Sequence, residues 1–335
     1  MEIFLLIALS LVPGIMLLVY ILYMDRNEKE PIDLVIKTMG LGALSVIPAV
    51  IIELAFGEIH PIFNIEQARS IQVAFLQSFI QIAPVEEFCK LIVVLLFIWK
   101  NPEFNEENDG IVYVSASALG FAVLENVFYV MAGGFSVGVA RAISAMPLHC
   151  FTGVIMGYFV GLAKFSISRN DTILNIVKGY LIAVLIHGLY DTFALSGTTI
   201  ALLILPTIAV LCYLGLKILK KGRELSLARW GDTSIASVAP SIEENFVDIQ
   251  SPVLSAQINP VNIKSNHWKI WISRPLLFFS AMFWLLIILG LTDETTTDTS
   301  SVLGGSVILT AFPIIIGVFL EFSYFSQRKL QQSEG

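Results

Sequence analysis

Apolar stretches about 20 residues long, separated by short polar segments, recur along the whole chain. They fall near 3–24, 33–56, 72–99, 111–133, 142–164, 174–196, 198–219, 275–292 and 302–324. A helix of about 20 apolar residues matches the hydrocarbon thickness of a bilayer. The pattern predicts an all-α, polytopic membrane protein of about nine transmembrane helices, with no sheet. Composition agrees: 56% of the 335 residues are hydrophobic and 14% are charged, where a soluble domain carries about 25% charged residues. The first stretch, MEIFLLIALSLVPGIMLLVYILYM, lacks a basic leader and a small-residue cleavage site. It reads as a retained span and not as a signal peptide.

Basic residues orient the spans. Lys29 follows the first span, Lys100 the third, and Lys164, Arg169 and Lys178 flank the loop after the fifth. Lys217, Lys220, Lys221, Arg223 and Arg229 follow the seventh, and Arg328 and Lys329 the ninth. The alternate loops hold only Arg69 and Arg141. The positive-inside rule then predicts a multi-pass plasma-membrane protein with its N-terminus outside and its C-terminus in the cytosol. Residues 1–219 read as a membrane core of seven spans. Residues 220–273 are polar and read as a cytosolic linker, disordered in part. Residues 274–335 read as a two-span hairpin with a short tail. No internal repeat is evident.

The formal charge of −7 comes largely from loop acids, as in EFNEEND and DETTTD. No basic stripe with interleaved aromatics is present, which argues against a nucleic-acid partner. Cys89, Cys150 and Cys212 all lie within spans, so no disulfide framework is expected.

Against this apolar background a few polar residues sit where lipid disfavours them. Glu86, Glu87 and Lys90 lie in the third span, Glu125 in the fourth, His149 in the fifth, and His187 and Asp191 in the sixth. A charge at the bilayer centre costs roughly 2.5–3.5 kcal/mol on insertion scales. Each has a plain structural explanation. Lys90 is four residues after Glu86 and three after Glu87, so the three can neutralise one another on one helix face. His187 and Asp191 share a face at i, i+4, and a lone interior histidine is more often hydrogen-bonded than a ligand. Glu125 has no such local partner and must find one on another helix. Four helices in series with such groups point instead to one shared polar site. Pro84 and Pro147 free backbone carbonyls close by, as expected beside a hydrated cavity. Gly153, Gly157 and Gly161 form a small-residue stripe on the His149 helix that lets another helix approach closely.

The blocks EEFCK at 86–90, FAVLEN at 121–126, RAISAMPLHCFTGVIMGYF at 141–159 and HGLYD at 187–191, in that order on consecutive helices, resemble the PrsW family of intramembrane metalloproteases. That family belongs to a wider group with the CAAX prenyl endopeptidases and bacteriocin-immunity proteins. The resemblance covers roughly residues 1–215. It implies cleavage of a membrane-anchored protein, with anti-sigma factors as the known substrate class. Carried onto this chain, it implies Glu125, His149 and His187 as the metal-ligand set and either Glu86 or Glu87 as the base. Lys90, Asn126 and Asp191 support them. Three protein ligands leave an open position for water at a zinc-type site, so zinc is the expected ion; direct activation of water by Glu and His is the other route. Two other classes remain: a catalytically silent membrane scaffold, and a proton-coupled transporter using the Glu/His series as a relay. Intact glutamates and histidines weigh against the first, and the missing repeat against the second.

Overall fold

Each predicted core span folds as helix, and the irregularities between and within them shape the site. The computed structural model describes residues 2–25, 29–63 and 70–230. In order, the helices are α1 (Glu2–Met24), α2 (Ile32–Leu44), α3 (Val46–Ile59), α4 (Ile71–Leu76), α5 (Ala83–Val93), α6 (Glu107–Ile143), α7 (Ala145–Lys164), α8 (Arg169–Leu195) and α9 (Ile204–Trp230). No strand occurs among the described residues. Five helical stretches there are long and apolar enough to cross a membrane: Ile3–Met24, Ile32–Ile59, Glu107–Lys164, Arg169–Leu195 and Thr199–Ala228. The third contains two expected spans, α6 and α7. The expected span at 72–99 is also helical, but Glu86, Glu87 and Lys90 interrupt its apolar run. The eighth and ninth spans, and the linker from residue 231 onward, lie outside the described residues.

Departures from regular spans have local causes. α2 and α3 meet at Ser45, whose hydroxyl donates to the Gly42 carbonyl at 2.7 Å. Pro48 sits in the first turn of α3, where a missing N–H costs least. Between α4 and α5 the chain widens into a π-helical stretch, Gln77–Ile82, and again beyond α5 at Val94–Ile98. Such wide turns often mark functional sites. α9 continues to Trp230, past the expected boundary at 219, because Lys220, Lys221, Arg223 and Glu224 are good helix formers.

The largest departure is in α6. The apolar pattern predicts a loop over 134–141, yet residues 135–141 are helical and turn back on the preceding helix. Gly134 has a φ of 74° and a non-helical ψ, so the chain reverses there. Glycine takes this conformation without a Cβ penalty. The returning arm, residues 135–143, brings Gly138 against the Val130 side chain and Arg141 beside Glu125.

α6 and α7 form the antiparallel heart of the bundle. A Cβ built on Gly157 would lie 2.7 Å from the Ile111 Cα, and one on Gly110 the same distance from the Gly161 Cα. The small-residue stripe is thus backbone-to-backbone contact, which substitutes for the hydrophobic driving force that lipid removes. Ser117 of α6 donates to the Lys90 carbonyl at 2.8 Å, and Tyr180 of α8 donates to the Pro84 carbonyl at 2.9 Å. These bonds fix the site-bearing α5 against its neighbours.

The opposite end of the bundle is tied by polar contacts. Tyr113 donates to Glu30, the Asn108 amide nitrogen donates to Asp25 at 2.9 Å, and the Asn108 backbone N–H donates to Ser226 at 3.1 Å. Glu106 and Asp109 form a capping box that starts α6. Burial raises the Glu30 carboxyl to about 7 from an ordinary value near 4.5, and the charges of Asp25 and Glu106 push the same way. The folded chain therefore holds this proton more tightly than the unfolded chain. Its stabilising effect is complete below the unfolded value and is lost as pH rises through the folded one. We expect the melting temperature of detergent-purified protein to fall between about pH 5 and 8, and Glu30→Gln to flatten that part of the profile. Equal slopes in both proteins would contradict this placement of Glu30.

Candidate active site

The π-helical turn before α5 and the packing of α5 against α6 and α8 turn Glu86, Glu87 and Lys90 inward. All three are buried, and Lys90 is 0% exposed. The Lys90 ammonium donates to Glu86 Oε2 at 3.1 Å, to Glu87 Oε1 at 2.8 Å and to His149 Nδ1 at 2.8 Å. A lysine has three N–H donors, and all three are engaged. It also lies 4.5 Å above the Phe121 ring. The expected self-neutralisation within α5 is therefore real but incomplete, since the third donor reaches α7.

Both histidines are clamped from two sides. His149 Nδ1 accepts from Lys90, which assigns the proton to Nε2, 3.0 Å from Glu125 Oε2. His187 Nδ1 meets Glu87 Oε1 at 2.6 Å, and Nε2 lies 3.2 Å from Asp191 Oδ2 and 3.8 Å from Glu86 Oε2. The two rings stand edge to face with centroids 5.0 Å apart. Every expected residue of the set thus falls in one cluster: Glu86, Glu87, Lys90, Glu125, His149, His187 and Asp191. Asn126 is buried beside it and accepts from Arg141 Nε at 2.5 Å.

Within the cluster the partners differ from the expected ligand set. Donor atoms of Glu86, His149 and His187 lie within 4.8 Å of one another. Glu125 lies outside this trio and instead meets Arg141 Nη2 at 3.0 Å. That contact and the one from Glu125 Oε2 to His149 Nε2 are close charge contacts and not aligned hydrogen bonds, because neither Glu125 Oε2 nor Arg141 Nη2 has a hydrogen-bond partner by geometry.

Two members went unrecognised in the sequence. The sequence places Arg141 in an outside loop and at the head of the block at 141–159, but its pairing depends on the reversal at Gly134. Glu53, in IIELAF of α3, satisfies the same criterion as the others: it is a carboxylate within a span. Its Oε1 is buried without a hydrogen-bond partner, and it feels the charges of Glu86, Glu125, Asp191 and His187.

The donor chemistry fits a divalent metal ion, which would take the His149 Nδ1 lone pair in place of the Lys90 hydrogen bond. A carboxylate and two imidazoles are ligands that a borderline ion takes, with a position left for water. Charge balance points the same way. Glu53, Glu86, Glu87, Glu125 and Asp191 bring five carboxylates to a site whose permanent cations are Lys90 and Arg141. Glu87 Oε2 is also buried without a hydrogen-bond partner. Excess negative charge in a low-dielectric interior calls for a further cation or for protons.

Fold and site define an integral membrane protein built around a buried carboxylate–histidine cluster. A family model for the PrsW family intramembrane metalloproteases matches residues 30–219. The chain belongs to the PrsW family, and it is a membrane peptidase. It is 34% identical over 215 residues to Protease PrsW of Oceanobacillus iheyensis, covering 64% of this chain and 94% of that protein. It is 33% identical over 193 residues to Protease PrsW of Geobacillus kaustophilus, covering 58% of this chain and 81% of that protein. To Protease PrsW of Bacillus subtilis it is 29% identical over 224 residues, covering 67% and 98%. No solved structure matches the chain.

A divalent ion held by Glu86, His149 and His187 should stabilise the fold by mass action. At about 100 times its dissociation constant it should add about 2.7 kcal/mol to the unfolding free energy. The check is calorimetry of chelator-treated protein with and without added ion. The increment should vanish in the double variant His149→Gln/His187→Gln. An equal increment in that variant would place the ion elsewhere.

Proposed function

We infer that the protein hydrolyses a peptide bond of a membrane-anchored protein, at or just below that substrate's extracytoplasmic juxtamembrane segment. The observation that carries this reading is the convergence of Glu86, Glu87, His149 and His187 inside a membrane-spanning bundle. Glu86, His149 and His187 would hold the metal ion, and zinc suits this oxygen-and-nitrogen donor set. When bound, such an ion polarises a carbonyl and lowers the pKa of water to about 7.

The chain's own groups supply the remainder. Lys90 and His187 hold Glu87 through Oε1. Oε2 has no hydrogen-bond partner, which suits Glu87 to take the proton from the attacking water and return it to the departing amine. Glu86 is engaged as a donor in the trio, so of the two glutamates Glu87 is the better base. Glu125 and Asp191 each face one imidazole nitrogen, as carboxylates commonly orient metal-binding histidines. Lys90 offsets the carboxylates and limits rotation of the His149 ring.

The site belongs to the extracytoplasmic half of the membrane on the N-terminus-outside topology. His149 lies near the start of α7 and His187 near the end of α8, close to the return arm. Water and substrate reach it from that side. In this reading residues 1–219 are the catalytic core, 220–273 a cytosolic linker and 274–335 an added two-span hairpin. The membrane is the plasma membrane, and an anti-sigma factor is the substrate class that the family implies.

Comparative proteomics of membranes carrying wild type or Glu87→Gln should reveal a single-pass substrate cut only by wild type. A lost general base should lower kcat by about 10²–10⁴-fold with little change in KM. Mass spectrometry of the product termini should place the cut on the extracytoplasmic flank. A cytosolic cut, or undiminished cleavage by Glu87→Gln, would overturn the reading.

A further inference from the structure

Arg141 lies outside the Glu86–His149–His187 trio, yet three separate contacts hold its guanidinium beside that trio. Nη2 is 3.0 Å from Glu125 Oε2, and Nε donates to Asn126 Oδ1 at 2.5 Å. The guanidinium carbon stands 3.9 Å from the Tyr129 ring centroid. All three partners lie on the outgoing part of α6, and Arg141 comes back to them on the arm that follows Gly134. The far end of the arm is secured where Ser144 and Tyr190 of α8 hydrogen-bond at 2.9 Å. Tyr190 is the neighbour of Asp191, so the arm is fastened at both ends beside the site.

The oxygen that Arg141 engages is the one that faces His149. Glu125 Oε2 is 3.0 Å from Arg141 Nη2 and 3.0 Å from His149 Nε2. The opposite nitrogen, His149 Nδ1, faces Lys90 at 2.8 Å. Lys90 already keeps the proton off Nδ1, so a carboxylate fixed beside Nε2 is left to set the ring orientation. A carboxylate free to rotate does not.

We propose that Arg141 is a positioning residue for hydrolysis, acting through Glu125 to hold the His149 ring in one orientation. The return arm is the element that delivers it. This rests on His149 belonging to the hydrolytic centre. The alternative is that Arg141 only neutralises Glu125. A lysine would serve that purpose as well, whereas it cannot reproduce a planar fork held to Glu125 and Asn126 and stacked on Tyr129.

Arg141→Lys separates the two, because it keeps the charge and loses the fork. The chain has four histidines, so ¹⁵N-histidine NMR of full-length protein in bilayers can be assigned with His149→Gln as a reference. Wild type should show one sharp His149 Nε2–H resonance. Arg141→Lys should shift or broaden that resonance as the ring loses its single orientation, with Zn²⁺ binding weakened about 10–100-fold. The double variant Glu125→Gln/Arg141→Gln carries no unpaired charge at this position. It should bind Zn²⁺ no more weakly than Glu125→Gln alone. An unchanged His149 resonance with unchanged Zn²⁺ affinity in Arg141→Lys would overturn the proposal. So would a double variant about tenfold weaker than Glu125→Gln, since Arg141 would then act by another route. Neither readout requires a substrate, so failure of wild-type cleavage would count against the proposed reaction and leave this inference to its own test.

Discussion

The Lys90 ammonium is the interaction on which the rest of the structure depends. It is fully buried and spends each of its three donors on a different site group: Glu86, Glu87 and His149. Breaking a buried ion pair by removing one partner typically costs about 3–5 kcal/mol, because the other charge is left uncompensated. Lys90 therefore does more than neutralise its own helix. It joins α5 to α7, leaves Glu87 with one engaged oxygen and one without a partner, and fixes the side from which His149 is approached. Arg141 plays the matching part on the other side of His149, through Glu125.

The helical scaffold is arranged to bring these charges together without exposing them to lipid. Backbone contact along Gly110, Gly157 and Gly161 sets the spacing of α6 and α7. The π-helical turns on either side of α5, and the Tyr180 bond to the Pro84 carbonyl, set its register against α8. The return arm after Gly134 fills what would otherwise be an outer loop and carries a cation into the site. Each device is irregular backbone or close helix contact; the glycine contacts are buried, whereas the return arm leaves Phe135, Val139 and Ile143 exposed on its outer face.

Much of this was legible in the chain. Apolar runs of membrane length located the core helices, because lipid imposes the same length on any spanning helix. Glu86, Glu87, Glu125, His149 and His187 stood out because their cost in lipid demands a compensating partner. What could not be read was the pairing between helices. Glu125 lacked a partner at i±3 or i±4, so the sequence implied one elsewhere without naming Arg141. Sixteen residues of separation become contact only through the reversal at Gly134, and a Gly-Gly pair alone does not announce a helical return. Glu53 was legible in principle, since a carboxylate in IIELAF meets the criterion already applied to the others. The assignment of Glu125 behind His149, and not among the trio, depends on ångström-scale placement that periodicity does not encode.

The central claim is that Glu86, His149 and His187 form one intramembrane metal centre in which water is activated. X-ray absorption spectroscopy at the zinc edge on protein loaded with one equivalent of Zn²⁺ tests it most directly. The account predicts a shell of nitrogen and oxygen at about 2.0–2.1 Å with the multiple-scattering signature of two imidazoles. One imidazole should be lost in His149→Gln. A sulfur shell at about 2.3 Å, or a spectrum unchanged by His149→Gln, would contradict it.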